Sequence, residues 1–267
     1  MDYADGDPLA NLDLVRSIFF ANPGYALGGR HKQVRTQTQQ YDPGHPEDGE
    51  YVENVMWEQS QVLFVTINVP GGSNNDADPW FADSPPSETA AQTLARTEEK
   101  ARRTAADLRW LDAAFGEAQQ DGAQGIVITL QADMWDPEKG SAHVANYRPF
   151  IDSIAAHAAA FGKPVLLFNG DSHVYRSDNP LEAGAACQIE SGASTVACSN
   201  DAAATQTPNY VPPSSYPNVP NFHRVVVHGS TLPMEWLRLT ISPGTNAPAS
   251  PTAFGPFTWQ RVQPSLP

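Results

Sequence analysis

Hydrophobic residues along this chain follow two spacings, and together these predict alternating helices and strands. Apolar side chains three or four positions apart predict helices at 8–20, 87–120 and 147–161. Short apolar runs predict strands at 51–58, 62–69, 125–130 and 164–168. From 62 to 168 the order is β-α-β-α-β, which is typical of helices packed on a largely parallel sheet.

Local signals mark the ends of several predicted elements. Asp7 followed by Pro8 favours a helix start at Pro8. Ser87 is expected to cap the long second helix. The polar residues 30–50 predict a long loop, and 59–61 predict a short hairpin connection.

The last third of the chain is expected to add a loop and a second layer. Residues 177–220 are rich in Pro, Ser, Asn and Ala and are interpreted as a long loop insertion. Short apolar runs at 225–227, 236–241 and 257–262 predict late strands of a second antiparallel layer. Because no repeat or linker divides the chain, residues 1–267 are expected to form one domain.

Composition and charge narrow the possible partners. Hydrophobic residues make up 40% and charged residues 17%, so the chain has the composition of a globular protein. The net charge is −14, and no dense Lys/Arg cluster is present, which argues against a nucleic-acid partner. No apolar run approaches the roughly 20 residues of a membrane span, and the first residues lack the pattern of a leader.

The two cysteines, Cys187 and Cys198, lie in a Gly-, Ala- and Ser-rich stretch. A disulfide between them and two free thiols are both compatible with this pattern. A disulfide would fit an oxidising compartment, in a secreted or periplasmic protein.

Three loops with polar side chains follow predicted buried strands: 68–75, 131–136 and 169–173. Ligands gather at the carboxyl edge of such sheets, because the loops converge there. The third loop contains Gly-Asp-x-His directly after an apolar strand. It places the carboxylate of Asp171 and the imidazole of His173 side by side, and a divalent metal needs such donors.

The order of these segments resembles the calcineurin-like metallophosphoesterase family over about 110 residues. The resemblance is carried by FVTIN ending at Asn68, ADLRWLDAAF ending at Phe115, IVITLQ ending at Gln131 and VLLFNGDSH ending at His173. A bacterial subgroup is similar in more detail, with Gln-Ala-Asp-Met-Trp-Asp-Pro and Asn-Gly-Asp-Ser-His. The resemblance implies a hydrolase that acts on a small-molecule phosphate ester.

The resemblance also implies that Gln131, Asp171 and His173 bind divalent metal ions. Gln131 stands where the family usually has a metal-binding histidine, and Asp171 replaces the first histidine of Gly-His-x-His. Both replacements offer an oxygen donor in place of an imidazole nitrogen. This favours Mn, Mg or Ca over Zn, and the identity of the metal, with Fe among the candidates, stays open.

Further site roles follow from the same resemblance. His173 and Asp133 are expected to take part in catalysis, with Asp133 as an outer-shell partner or proton acceptor. The side chains of Asn68, Asn74 and Asn75 are candidates for hydrogen bonds to the substrate. A structural role in a Gly-rich turn is the alternative for these three asparagines.

The fold implied by the resemblance is an α/β sandwich of two mixed sheets flanked by helices, with its N-terminal portion missing. The family's Asp-x-His, Gly-Asp and Gly-Asn-His elements, which supply most metal ligands, do not occur in residues 1–60. Whether these 267 residues are active on their own therefore stays open.

Two other functions compete with the phosphoesterase hypothesis. Gly-Asp-Ser at 170–172 looks like the nucleophile block of GDSL esterases, in which Ser172 would attack an ester. The chain could instead be a non-catalytic binding module or a remnant of a hydrolase. His223 and His228 flank a late strand, and a structural role is expected for both.

Overall fold

The computed structural model describes residues 7–26, 32–75, 88–136, 141–198, 218–229 and 234–264. The helices are α1 (Pro8–Phe19), α2 (Gln37–Gln40), α3 (Gly71–Asn75), α4 (Ala90–Gln120) and α5 (Ser141–Phe161), with a 3-10 turn at Pro46–Glu50. The strands are β1 (Arg35–Thr36), β2 (Val55–Gln59), β3 (Val62–Thr66), β4 (Gly125–Thr129), β5 (Val165–Asn169), β6 (Arg176–Asp178), β7 (Gln188–Ser191), β8 (Ser194–Ala197), β9 (Phe222–Val226), β10 (Trp236–Ile241), β11 (Ala247–Ser250), β12 (Ala253–Gly255) and β13 (Phe257–Val262). Within these ranges, no helix is both long and apolar enough to cross a membrane.

A nine-stranded mixed sheet forms the centre of the molecule, in the order β1-β2-β3-β4-β5-β9-β6-β7-β8. Strands β3, β4, β5 and β9 run parallel to one another, and the strands outside them pair in antiparallel fashion. The parallel strands therefore deliver their following loops to one edge of the sheet.

Helices α4 and α5 cover one face of this sheet. Trp110 and Phe115 of α4 and Phe150 of α5 belong to one buried cluster with Leu63 and Ile126 of the sheet. A reciprocal capping box between Thr89 and Gln92 starts α4.

The second sheet covers the other face and has the order β10-β13-β12-β11. Its Phe257 and Trp259 pack against Val62, Val127 and Leu166, which alternate with the residues that face the helices. The central strands are apolar almost throughout because both of their faces are covered.

The α/β class, the long helices and the central strands agree with the sequence-based expectations, and other details differ. Residues 30–50, expected to be a long loop, contain β1, α2 and the 3-10 turn where they are described. The antiparallel second layer predicted from the late runs is present, whereas the resemblance implied two mixed sheets and only the main sheet of the two described is mixed. Val225 and Val226 of the run at 225–227 belong to β9, which pairs in parallel with β5 in the main sheet and is buried throughout. Helix α4 is capped by Thr89, whereas Ser87, the predicted cap, lies outside the described residues.

The segment 177–220, expected to be a loop, contributes structure where it is described. Strand β6 joins the main sheet beside β9, and β7 and β8 extend that sheet as a hairpin. A disulfide links Cys187 to Cys198 at this hairpin. Residues 199–217 lie outside the described part of the chain.

Helix α1 begins at the predicted residue but presents an unexpected face to the protein. Its only buried side chain is Arg16, which donates to Glu53 at 2.7 Å and to Glu50 at 3.1 Å. The apolar residues Ile18 and Phe19 are at least half exposed. Charge pairing, not apolar burial, therefore attaches this helix.

Candidate functional site

The loops that follow β3, β4, β5 and β9 are joined by backbone hydrogen bonds at the carboxyl edge of the main sheet. The amide of Ala132 donates to the carbonyl of Val69 at 3.0 Å, and the amide of Gly170 donates to the carbonyl of Gln131 at 3.0 Å. The amide of Val227, after β9, donates to the carbonyl of Asn169 at 2.8 Å. The three polar loops singled out in the sequence are thus neighbours at this edge.

Gln131 and Asp171 meet directly at this edge. The Gln131 Nε2 group donates to Asp171 Oδ1 at 3.0 Å, and the side-chain oxygen of the same residue, Oε1, accepts from the backbone amide of Gly71. A Cβ atom added to Gly71 would lie 2.4 Å from Asp171 Oδ1. A side chain at position 71 would therefore force the Asp171 carboxylate to move away from the loop after β3.

His173 lies on the same loop as Asp171 and is exposed. Its backbone carbonyl accepts from the amide of Gly229 at 3.1 Å, and a Cβ atom on Gly229 would lie 2.6 Å from the His173 Cβ. Within the described part of the chain, the imidazole makes no hydrogen bond. The backbone is thus fixed, and the ring is accessible to a ligand.

Backbone strain is concentrated at this edge. Seven described residues other than glycine have a positive φ, and five of them lie here: Ser73, Asn74, Asn75, Asp171 and His173. A left-handed backbone costs an L-residue roughly 1 kcal/mol. Such strain persists only where the surroundings hold it in place, and it is found most often at functional sites.

Helices α4 and α5 hold the left-handed segment α3. Arg103 of α4 donates to Asn74 Oδ1 at 2.6 Å and to the carbonyl of Asn68 at 3.1 Å, and its own charge is paired with Glu99 at 2.7 Å. The Tyr147 hydroxyl of α5 accepts from the amide of Asn74 and donates to the carbonyl of Pro70, both at 2.9 Å. Burial raises the pKa of Tyr147, so the hydroxyl keeps the proton that it donates.

The three asparagines have different environments. Asn68 donates from its side chain to Glu53 at 2.7 Å, and the buried Asn74 amide contacts Arg103 and Thr104. Only Asn75 has a side chain without a hydrogen bond within the described ranges. Asn68 and Asn74 therefore support the loop, whereas no described residue engages the side chain of Asn75.

Asp133 is fully buried beneath the site. One of its oxygens accepts from Arg224 at 2.6 Å, and the other accepts from the Ser172 hydroxyl at 2.9 Å. Arg224 also donates to both oxygens of Asp178, at 2.8 and 2.7 Å. The Asp133 carboxylate therefore holds the 170–173 loop to the core through Ser172.

The same contacts bear on the serine esterase hypothesis. Ser172 donates to a carboxylate that Arg224 already neutralises, and within the described residues it has no hydrogen bond to a histidine. A nucleophilic serine needs a neighbouring base that takes its proton. This arrangement does not favour Ser172 as a nucleophile.

Sequence patterns did not single out Arg103, Tyr147, Arg224 or Gly71. A usable signal exists for Arg103, because it lies on the same face of α4 as Asp107 and Trp110, where apolar side chains are expected. The other contacts join residues 60 or more positions apart, and no local pattern marks them.

A second group of charged residues lies between β7 and β10. Glu190, His228 and Glu235 have ligand-type atoms within 4.8 Å of one another. Arg261 donates to Glu235 at 2.8 Å and to Glu190 at 3.5 Å. Since Arg261 already compensates these carboxylates, the group needs no cation to be stable.

Comparisons with known proteins give no family for this chain. No protein-family model, no curated protein and no solved structure matches it. The functional inference therefore depends on the residues of the site and on the resemblance of the motifs.

Proposed function

We propose that the chain contributes to the centre of a metal-dependent hydrolase of phosphate esters, with Gln131, Asp171 and His173 as metal ligands. The observation that carries the proposal is the direct contact of Gln131 with Asp171 at 3.0 Å, on loops that end neighbouring parallel strands. His173 lies on the same loop, with its ring exposed. Phosphomonoesters and phosphodiesters are both possible substrates.

The donor set fits a divalent cation that prefers oxygen. Asp171 offers a carboxylate, His173 an imidazole, and Gln131 an amide oxygen whose second lone pair remains after it accepts from Gly71. Such a set suits Mn²⁺ or Mg²⁺, and these cations take about six ligands. The remaining positions would be filled by water, by substrate or by other polypeptide segments.

A bound cation would supply an activated water molecule and would neutralise the phosphoryl oxygens. The chain's own residues have supporting roles in this proposal. Gly71 leaves room for the Asp171 carboxylate beside the loop after β3. Asp133 positions the 170–173 loop through its hydrogen bond with Ser172. The Asn75 side chain is available to donate to a phosphate oxygen.

The proposal is tested by the hydrolysis of bis-p-nitrophenyl phosphate and p-nitrophenyl phosphate with added Mn²⁺. We expect activity that EDTA removes and that His173→Ala lowers by about 100-fold, because a metal ligand is lost. Ser172→Ala removes only the hydroxyl that positions the loop, so it should lower the activity by about tenfold or less. Hydrolysis that does not depend on metal would contradict the proposal. Activity that is lost in Ser172→Ala but kept in His173→Ala would also contradict it and would favour the serine esterase.

A further inference from the structure

One buried hydroxyl group of α5 contacts both ends of the turn that follows β3. Tyr147 is fully buried, and its hydroxyl accepts from the amide of Asn74 and donates to the carbonyl of Pro70, both at 2.9 Å. These two backbone groups are four residues apart, so they face each other across one helical turn. The hydroxyl therefore fastens the two ends of the turn to α5.

This turn needs support from outside because its backbone is left-handed. The φ angles of Gly72, Ser73 and Asn74 are 62°, 56° and 62°. Residues with a side chain rarely adopt this conformation, and it persists only where neighbouring groups hold it. Arg103 donates to the side-chain oxygen of Asn74 at 2.6 Å and to its carbonyl at 3.4 Å, whereas Tyr147 engages its amide.

The same turn carries the backbone amide that orients Gln131. Gly71 lies directly after Pro70, and its amide donates to Oε1 of Gln131. The Nε2 group of Gln131 donates to Asp171 Oδ1 at 3.0 Å. Gln131 is exposed, so these two hydrogen bonds, and not packing, select the orientation of its side-chain amide. An amide rotated by half a turn would place its NH₂ group, which has no lone pair for a cation, where Oε1 now lies.

We infer that Tyr147 is a positioning residue of the metal site, an inference that rests on the proposed role of Gln131 as a ligand. Its hydroxyl fixes the turn, the turn fixes the Gly71 amide, and that amide keeps Oε1 of Gln131 in place. Tyr147 is not itself a ligand, because its side chain is buried and its hydroxyl is bonded to the backbone. Loss of a group that orients a metal ligand weakens metal binding by about 10–100-fold.

The inference is tested with Tyr147→Phe, and Tyr175→Phe is the matched control. Tyr175 is also fully buried, and its hydroxyl accepts from Trp259 Nε1 at 2.9 Å and donates to the carbonyl of Pro251 at 3.1 Å. This hydroxyl is therefore bonded to the second sheet and its turn, and not to the loops of the site. Each variant loses one buried hydroxyl, so the two should lower the urea midpoint of unfolding to a similar extent.

Only Tyr147→Phe should change the site. In the metal-free protein it should shift the NMR signals of the Gly71 amide and of the Gln131 side-chain amide, and it should speed hydrogen exchange at Gly71. The Mn²⁺ dissociation constant, measured by electron paramagnetic resonance of the free ion, should rise about tenfold. In Tyr175→Phe the signals should stay in place, and the dissociation constant should stay within about twofold of the wild-type value.

Three results would overturn the inference and leave the proposed function intact. The first is an equal Mn²⁺ affinity of the wild type and Tyr147→Phe. The second is an equal loss of affinity in both variants, which would show a general effect of lower stability. The third is a weaker affinity of Tyr147→Phe without any change in the signals of Gly71 and Gln131. The absence of Mn²⁺ binding by the wild type is a distinct outcome, because it would contradict the proposed metal site and the inference together.

Discussion

The side chain of His223 is enclosed by the rings of Phe254 and Trp259 in the core between the sheets, with centroids 5.5 and 5.2 Å away. Its Nε2 atom lies 2.9 Å from the Ser177 hydroxyl. Burial lowers the pKa of His223 to about 4, although the nearby Asp178 acts in the opposite direction. A histidine was expected to be structural at this position, and its burial agrees with that expectation.

This burial predicts a pH dependence of stability. Between pH 6.5 and about 4, the unfolded chain binds a proton at His223 that the folded chain does not. The free energy of unfolding should therefore fall as the pH drops through this window, by about 3 kcal/mol in total from this group. Urea unfolding of the wild type and of His223→Gln at pH 7 and pH 4.5 measures the effect. An equal loss of stability in both proteins would contradict it.

The motifs predicted which residues gather at the site, but not what each side chain contacts. Asp171, His173 and Gln131 lie in loops that a local pattern marks, because each loop follows an apolar strand. The pairing of Asp133 with Arg224 joins residues 91 positions apart, and only the sheet order brings them together. Metal ligation by the first three residues stays a prediction.

Helices and strands were predicted correctly where a local apolar pattern determines them. They were misplaced where pairing with residues distant in the sequence determines their position. Helix α4 and strands β3, β4 and β5 follow directly from their periodicity. Strand β9 was assigned to the wrong sheet, because its position beside β5 depends on pairing and not on its own sequence. Periodicity also predicted α1 but not its exposed apolar face, since Arg16 anchors that helix.

The approach of the loops after β3 and β5 gives a prediction at this scale. Gly71→Ala should lower the free energy of unfolding by about 1–3 kcal/mol, because the new methyl group would overlap the Asp171 carboxylate. Gly170→Ala is the matched control, since its nearest contacts would lie at 3.6 Å. Urea unfolding of both variants and of the wild type measures the difference in the free energy of unfolding. Equal stabilities of the two variants would show that the loops do not meet as described.

As a whole, the molecule places helices on one side of a nine-stranded sheet and a smaller antiparallel sheet on the other. The polar edge of the parallel strands carries the proposed metal ligands.

The central claim, a metal site formed by Gln131, Asp171 and His173, is tested most directly by Mn²⁺ binding, followed by electron paramagnetic resonance of the free ion. The account predicts saturable binding that the double variant Asp171→Asn/His173→Ala abolishes. Glu190→Gln, in the second group of acidic residues, should leave it unchanged. Binding that survives in the double variant but is lost in Glu190→Gln, or no binding by the wild type, would contradict the claim.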